Sequence, residues 1–169
     1  LDVFSPLSDS IMRSGFISYN MDGLLISYET HNKIGAYTQM FHNGSLEITE
    51  IRMMNMDNQN SDKKYIYNWI KLEKLLFEKL DDFIEVMSEL EIPKPYIVFV
   101  TLLNTKGKQS LGDFETYPNK PFSRNIIHSM PAYITEEENY LNSMYPLLTS
   151  LSNAFGMKNS KVFKEKSVE

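Results

Sequence analysis

The stretch Ala36-Tyr-Thr-Gln-Met-Phe-His-Asn-Gly-Ser-Leu-Glu-Ile-Thr-Glu-Ile51 decides the fold class. Asn43-Gly44 lies between two runs of β-formers, and both residue types tolerate the positive φ angles of a tight hairpin turn. A hairpin is therefore expected from Ile34 to Met53. Leu46 and Ile48, with Ile51 a further candidate, face one side, while Glu47 and Thr49 face the other. One wet face and one covered face are the mark of an antiparallel sheet packed on a single side. Just upstream, Gly15-Phe-Ile-Ser-Tyr and Leu24-Leu-Ile-Ser-Tyr flank Asn20-Met-Asp-Gly23. This is a second hairpin, with its turn expected at Asp22-Gly23.

Working outward, Asn55–Asp62 is a polar run that reads as a loop, with Ser61 or Asp62 capping a helix. Ile66, Trp69, Ile70, Leu76, Leu80, Phe83, Ile84, Met87 and Leu90 recur at steps of three and four, predicting an amphipathic helix over 62–91 that Pro93 stops. Tyr96–Leu103 is continuously apolar and predicts a central strand buried on both faces. Residues 104–122 form a long excursion with a short strand inside, and Arg124–Ile134 returns extended, with Pro131 marking an edge or a break. Thr135-Glu-Glu-Glu138 has the form of a capping box for a helix over 135–155, which Pro146 kinks or divides into two abutting pieces and Gly156 closes. The class is α+β: a mostly antiparallel sheet of five or six strands with two main helices packed on one face. The domain plan is an arm or linker at 1–14, a single α+β domain at 15–157 and a charged tail at 158–169.

The chain has 169 residues, enough for one domain to bury its own core. It has no cysteine, which removes disulfide scaffolds, thiolate catalysis and sulfur-based zinc sites and fits a reducing compartment, the cytoplasm. No window approaches the ~18 apolar residues of a membrane span, so no membrane partner is expected. The opening, which begins at Leu1, lacks signal-peptide features and reads as a cut from a longer protein. Seventeen Lys and Arg against 22 Asp and Glu leave a net charge of −5, which disfavours direct nucleic-acid binding by this segment. The lysines Lys158, Lys161, Lys164 and Lys166 are interrupted by Glu165 and read as a solvated tail.

No nucleotide-binding, metalloprotease, hydrolase or calcium-loop pattern is present, so no catalytic residue, metal site or cofactor is assigned. His31, His42 and His128 are scattered over different segments. Asp22, Glu47 and Glu50 form a possible carboxylate cluster, which a wet sheet face explains equally well without chemistry. Trp69 and the tyrosines Tyr19, Tyr28, Tyr37, Tyr65 and Tyr67 would serve as a stacking platform or, more simply, as core.

Several separated segments together resemble one known family. They are Asn20-Met-Asp-Gly-Leu-Leu25, Ala36–Glu47, Pro95-Tyr-Ile-Val-Phe-Val-Thr-Leu-Leu-Asn-Thr-Lys-Gly107, Met130-Pro-Ala-Tyr-Ile134 and Met144–Gly156. Their order and spacing over residues 15–157 are similar to the region that follows the Schlafen-type AlbA-like DNA-binding domain in many bacterial proteins, some described as ATP-binding or as helix-turn-helix regulators. In that family the hairpin reads Tyr-x-Gln-x-Phe-Arg-x-Gly-x-x-Glu and the last helix Arg-Pro-x-Phe-Asp-x-x-Trp-Asn-Ala-x-Gly. Here His42 and Tyr145 replace the two arginines, Ser152 replaces the tryptophan, and Ala132 stands where the family often has Glu. A charged ligand bound through those positions would be lost in this member.

The resemblance implies a C-terminal accessory domain, and the missing catalytic signatures and acidic charge favour a non-catalytic one, for sensing, ligand binding or oligomerisation, in a bacterial regulatory or phage-defence-like protein. Its partners would be a second copy or its own upstream domain, and nucleic acid or nucleotide would be bound by that upstream domain. Two alternatives compete with it. One is a metal-dependent nuclease or hydrolase using Asp22, Glu47 and Glu50 or the loop carboxylates Asp113 and Glu115. The other is direct nucleic-acid binding through Lys106, Lys108, Arg124 and the lysine tail. A ligand site, if present, is expected at Asp22, Tyr37, Gln39, Glu47 and Lys106, where two turns and the 105–112 loop carry polar groups.

Overall fold

The computed structural model describes residues 16–30, 33–50, 54–57, 64–111, 121–136 and 139–158. The expected arm at 1–14, most of the charged tail, His31, Ile51, Ser61, Asp62, Asp113 and Glu115 lie outside these residues. The class is α+β. Its strands are divided among an antiparallel sheet of four, a sheet of three and two pairs, instead of one sheet of five or six.

The four-stranded sheet is built from β1 (Phe16–Asn20), β2 (Gly23–Thr30), β3 (Lys33–Phe41) and β4 (Leu46–Glu50) in sequential order. Both expected hairpins are there, but the first turns one residue earlier than predicted. Asn20 pairs with Gly23, so Met21-Asp22 is the turn, and Asn20 Oδ1 accepts from the Asp22 and Gly23 amides at 3.0 and 2.9 Å. Gly23 serves a different purpose. It has a φ of 144°, and a Cβ on it would lie 2.1 Å from the Met40 carbonyl oxygen on β3. In the second hairpin Gly44 takes the positive φ that its position in the Asn-Gly pair predicted.

The start of the segment expected as a polar loop, Asn55–Asp57, instead belongs to β5 (Met54–Asp57), antiparallel to β6 (Lys64–Asn68), and 58–62 lie outside the described residues. The period-two alternation of Tyr65 and Tyr67 around Ile66 outweighs the helical spacing counted from Ile66. The helix α1 therefore starts at Trp69 and runs to Glu89. Its cap is Asn68, whose Oδ1 accepts from the Lys71 amide at 3.1 Å.

The Tyr96–Leu103 run is not a central strand buried on both faces. It divides into β7 (Tyr96–Val98) and β8 (Thr101–Leu103), and Ile97, Phe99 and Leu103 are exposed. The 104–122 excursion contains β9 (Gln109–Leu111), which pairs parallel to β6. The extended return gives β10 (Ile126–His128), antiparallel to β8, and β11 (Ala132–Ile134), antiparallel to β7. Pro131 falls in the break between them. The last helical segment is two pieces, α2 (Tyr140–Ser143) and α3 (Tyr145–Ala154), with Pro146 in the first turn of the second. There the absent amide proton of proline leaves no helical bond unmade. Asn139, not the Thr135 box, caps α2 by accepting from the Leu141 amide.

The chain divides into two compact units: Leu1–Met53 with Glu78–Ile92, and Met54–Phe77 with Pro93–Glu169. In the first, Ile26 and Ala36 of the sheet pack with Val86, joined by Tyr28 and Leu90, so the last turns of α1 cover one sheet face. In the second, Leu147, Leu148 and Leu151 of α3 are fully buried. Trp69 packs on Phe155 with ring centroids 5.1 Å apart, Phe155 meets Phe122 edge-on at 5.1 Å, and Phe122 meets Tyr67 edge-on at 5.9 Å. Such tilted and edge-to-face arrangements are favoured by the ring quadrupoles.

Candidate functional site

Four of the five expected site residues lie in the first unit, on the sheet face opposite Ile26 and Ala36 or at its turn. Cross-strand register puts Gln39 opposite Glu47 and Tyr37 opposite Thr49, so these four side chains share one face. The Tyr37 hydroxyl donates to Glu47 Oε1, and Thr49 Oγ1 donates to the same oxygen at 3.4 Å. The hydrogen bond to Glu47 is the main reason the Tyr37 phenol titrates above its ordinary value, since losing the proton would set two anions side by side. Gln39 is only 5% exposed. Its amide exchanges hydrogen bonds with Asn20 across the intervening strand, Asn20 Nδ2 donating at 2.9 Å.

Gln39 and Asn20 thus hold the sheet together, and the exposed part of the cluster reduces to Tyr37, Glu47 and Thr49. Asp22 sits exposed in the turn, where its backbone carbonyl accepts from the His42 amide at 3.0 Å. His42 is exposed, as a hairpin-turn residue should be. Among the described residues no group of three or more His, Asp or Glu is disposed to hold a metal ion.

The fifth residue, Lys106, belongs to the second unit, at the exposed tip of a closely bonded turn. Thr105 beside it is fully buried, and its hydroxyl donates to the Arg124 carbonyl at 2.6 Å. The Gly107 amide donates to the Phe122 carbonyl at 2.9 Å, and the Phe122 amide donates to that of Lys108 at the same distance. The turn is anchored backbone to backbone, so Lys106 and Arg124 are presented on a fixed base.

The feature that sequence reasoning missed is the outer face of β7, β8, β10 and β11. Thr101 faces His128, and Val98 faces Ala132, so residues 99–100 oppose 129–131 and one extra residue is accommodated as a bulge. The Ser129 amide donates to the Val100 carbonyl and Ser129 Oγ accepts from the Val100 amide, both at 2.9 Å, which bridges the break. Ile97 pairs with Tyr133 at one end and Leu103 with Ile126 at the other, with Phe99 and Met130 between them. These six side chains are 46–68% exposed, whereas Leu102, Ala132 and Ile134, on the opposite side of the pleat, are buried. Thr101 Oγ1 and His128 Nδ1, 3.0 Å apart, add the one polar pair in the row. The signal in the sequence is a run apolar at both parities, a pattern that predicts burial on both sides.

Two further features stand outside the expected set. Glu73 on α1 is the one charged side chain buried among the described residues. In β1 every residue is exposed, Phe16, Ile17 and Tyr19 included. Comparison of the chain with protein-family models, with curated proteins and with solved structures finds no match. No helix among the described residues is long and apolar enough to cross a membrane.

Proposed function

We propose that this chain is a non-catalytic accessory domain of a cytoplasmic bacterial regulatory or defence-like protein, working by association through the outer face of the β7–β11 strands. Binding of nucleic acid or nucleotide would fall to an upstream AlbA-like domain. The observation that carries this reading is the row of six large apolar side chains exposed along two strand pairs and the break between them. An apolar surface of that extent on a folded protein normally marks an interaction site. The residues expected to bind a ligand support it indirectly, because Gln39 is engaged within the sheet and Glu47 already accepts from Tyr37 and Thr49.

The test uses the longer parent protein carrying Phe99→Glu with Tyr133→Glu, two changes confined to exposed positions. Far-UV circular dichroism and the unfolding midpoint should be retained, while the parent's assembly state or its activity in cells is lost. A parent that keeps both with the two charges in place would overturn the reading.

A further inference from the structure

The geometry points to a second copy of this chain as the occupant of that outer face, forming a two-fold dimer in which the strand pairs pack face to face. The inference rests on the association reading above and names its partner. Its first support is area. Weighting side chains of roughly 150–250 Å² by their exposure, Ile97, Phe99, Leu103, Ile126, Met130 and Tyr133 offer roughly 500–850 Å² of largely apolar surface. That lies at or above the top of the ~300–600 Å² range for the largest patch on a typical monomer and reaches the ~800 Å² per partner of a stable interface.

The second support is charge. The eight outward positions 97, 99, 101, 103, 126, 128, 130 and 133 contain no Asp, Glu, Lys or Arg, in a chain whose net charge is −5. Two such copies repel over most of their surfaces, and a face without acidic groups is where they can approach. An oppositely charged partner would find no complementary group on it. Charged residues appear at its ends: the Lys94–Glu136 ion pair at 3.2 Å beside β7 and β11, and Arg124 beyond β10. An apolar centre rich in Phe, Tyr and Met with a polar rim is the composition of a protein–protein interface.

The third support is form. A two-fold axis through the middle of the face sets the same patch against itself, each residue meeting its partner's counterpart reciprocally. The middle is Thr101 and His128, and aligned sheets pack about 10 Å apart. That spacing is too wide for a disulfide but within reach of a short bis-maleimide. Because the chain has no cysteine, Thr101→Cys introduces a single reactive thiol at the axis.

Sedimentation equilibrium of the 169-residue chain, from micromolar to submillimolar concentration, should give twice the 19.7 kDa chain mass. Phe99→Glu should weaken the dimer about 30-fold or more, the loss expected of a central aromatic anchor. Thr101→Cys should cross-link to a dimer in good yield, and Asn153→Cys, exposed on α3 in the same unit, should not. A wild-type chain that stays monomeric throughout and gives no Thr101→Cys dimer overturns the self-association. So does a dimer that Phe99→Glu leaves intact, since its interface lies elsewhere. If the chain is monomeric and the paired Glu substitutions still abolish the parent's activity, the face binds another partner and only the dimer is wrong. If neither changes, the association reading fails with it.

Discussion

Gly23 shows how one atom decides a register. A methyl group there would lie 2.1 Å from the Met40 carbonyl oxygen, at a φ that side-chain-bearing residues rarely adopt. Gly23→Ala is expected to destabilise by about 2–3 kcal/mol or more, because the clash is with backbone that cannot swing away. Gly107→Ala, at a φ of 76° with nothing within 4 Å, carries conformational strain alone and should cost about 1–2 kcal/mol. Urea titration of the two variants checks the order. Thr38 is nearly fully buried and its hydroxyl has no hydrogen-bond partner among the described residues. Thr38→Val should therefore leave stability unchanged or raise it by about 1 kcal/mol; a loss would reveal a partner for that hydroxyl. Tyr67 is raised in pKa by burial, above its ordinary value of 10.0, and its hydroxyl donates to the Leu103 carbonyl at 2.7 Å. A raised folded-state pKa means the folded protein holds the proton more tightly than the unfolded chain. Its contribution is whole below pH 10 and is lost as pH rises through the folded value. Denaturation midpoints should fall above pH 10, and more shallowly in Tyr67→Phe, which also loses the hydrogen bond at every pH.

Element boundaries were set by side chains that compete for the same backbone groups. Two caps were expected at Ser61 or Asp62 and at Thr135, and the structure uses Asn68 and Asn139. In both cases asparagine sits immediately before the first helical residue, where its short carbonyl reaches the amide two or three residues on. Asn68→Ala should cost about 1 kcal/mol, read as a shift in the thermal midpoint, because it leaves the Lys71 amide in the first turn of the 21-residue α1 without its cap. Of the two outcomes expected at Pro146, a kink or two abutting pieces, the structure takes the second, dividing the segment into α2 and α3, since proline is accommodated at a helix start and not in its interior. Helix α1 was predicted seven residues too early because helical spacing and strand alternation overlap at Ile66 and Tyr67. The pairing of β6 with β5 and β9 decides between them, and β9 comes from residues more than forty positions away.

At the level of the whole molecule, an acidic chain with a charge-free apolar face should associate more readily as salt is added, because screening removes the repulsion and leaves the apolar attraction. The dimer dissociation constant, measured by sedimentation at rising ionic strength, is expected to fall; a rise would indicate an interface held by ion pairs. The sequence by itself determined the α+β class, both amino-terminal hairpins, the face bearing Glu47 and Thr49, the amphipathic helix that covers Ile26 and Ala36, and the helical pieces ending at Gly156. Each of these is a local matter, since the side-chain period and the turn residues lie within a few positions of one another. Tertiary structure alone decided that β5 and β6 are strands, that the strands separate into several sheets, that Gln39 is held by Asn20, and that one side of Tyr96–Leu103 is left uncovered. Those outcomes depend on what packs against a segment from elsewhere in the chain, and a run that is apolar at every position carries no record of which side found a partner.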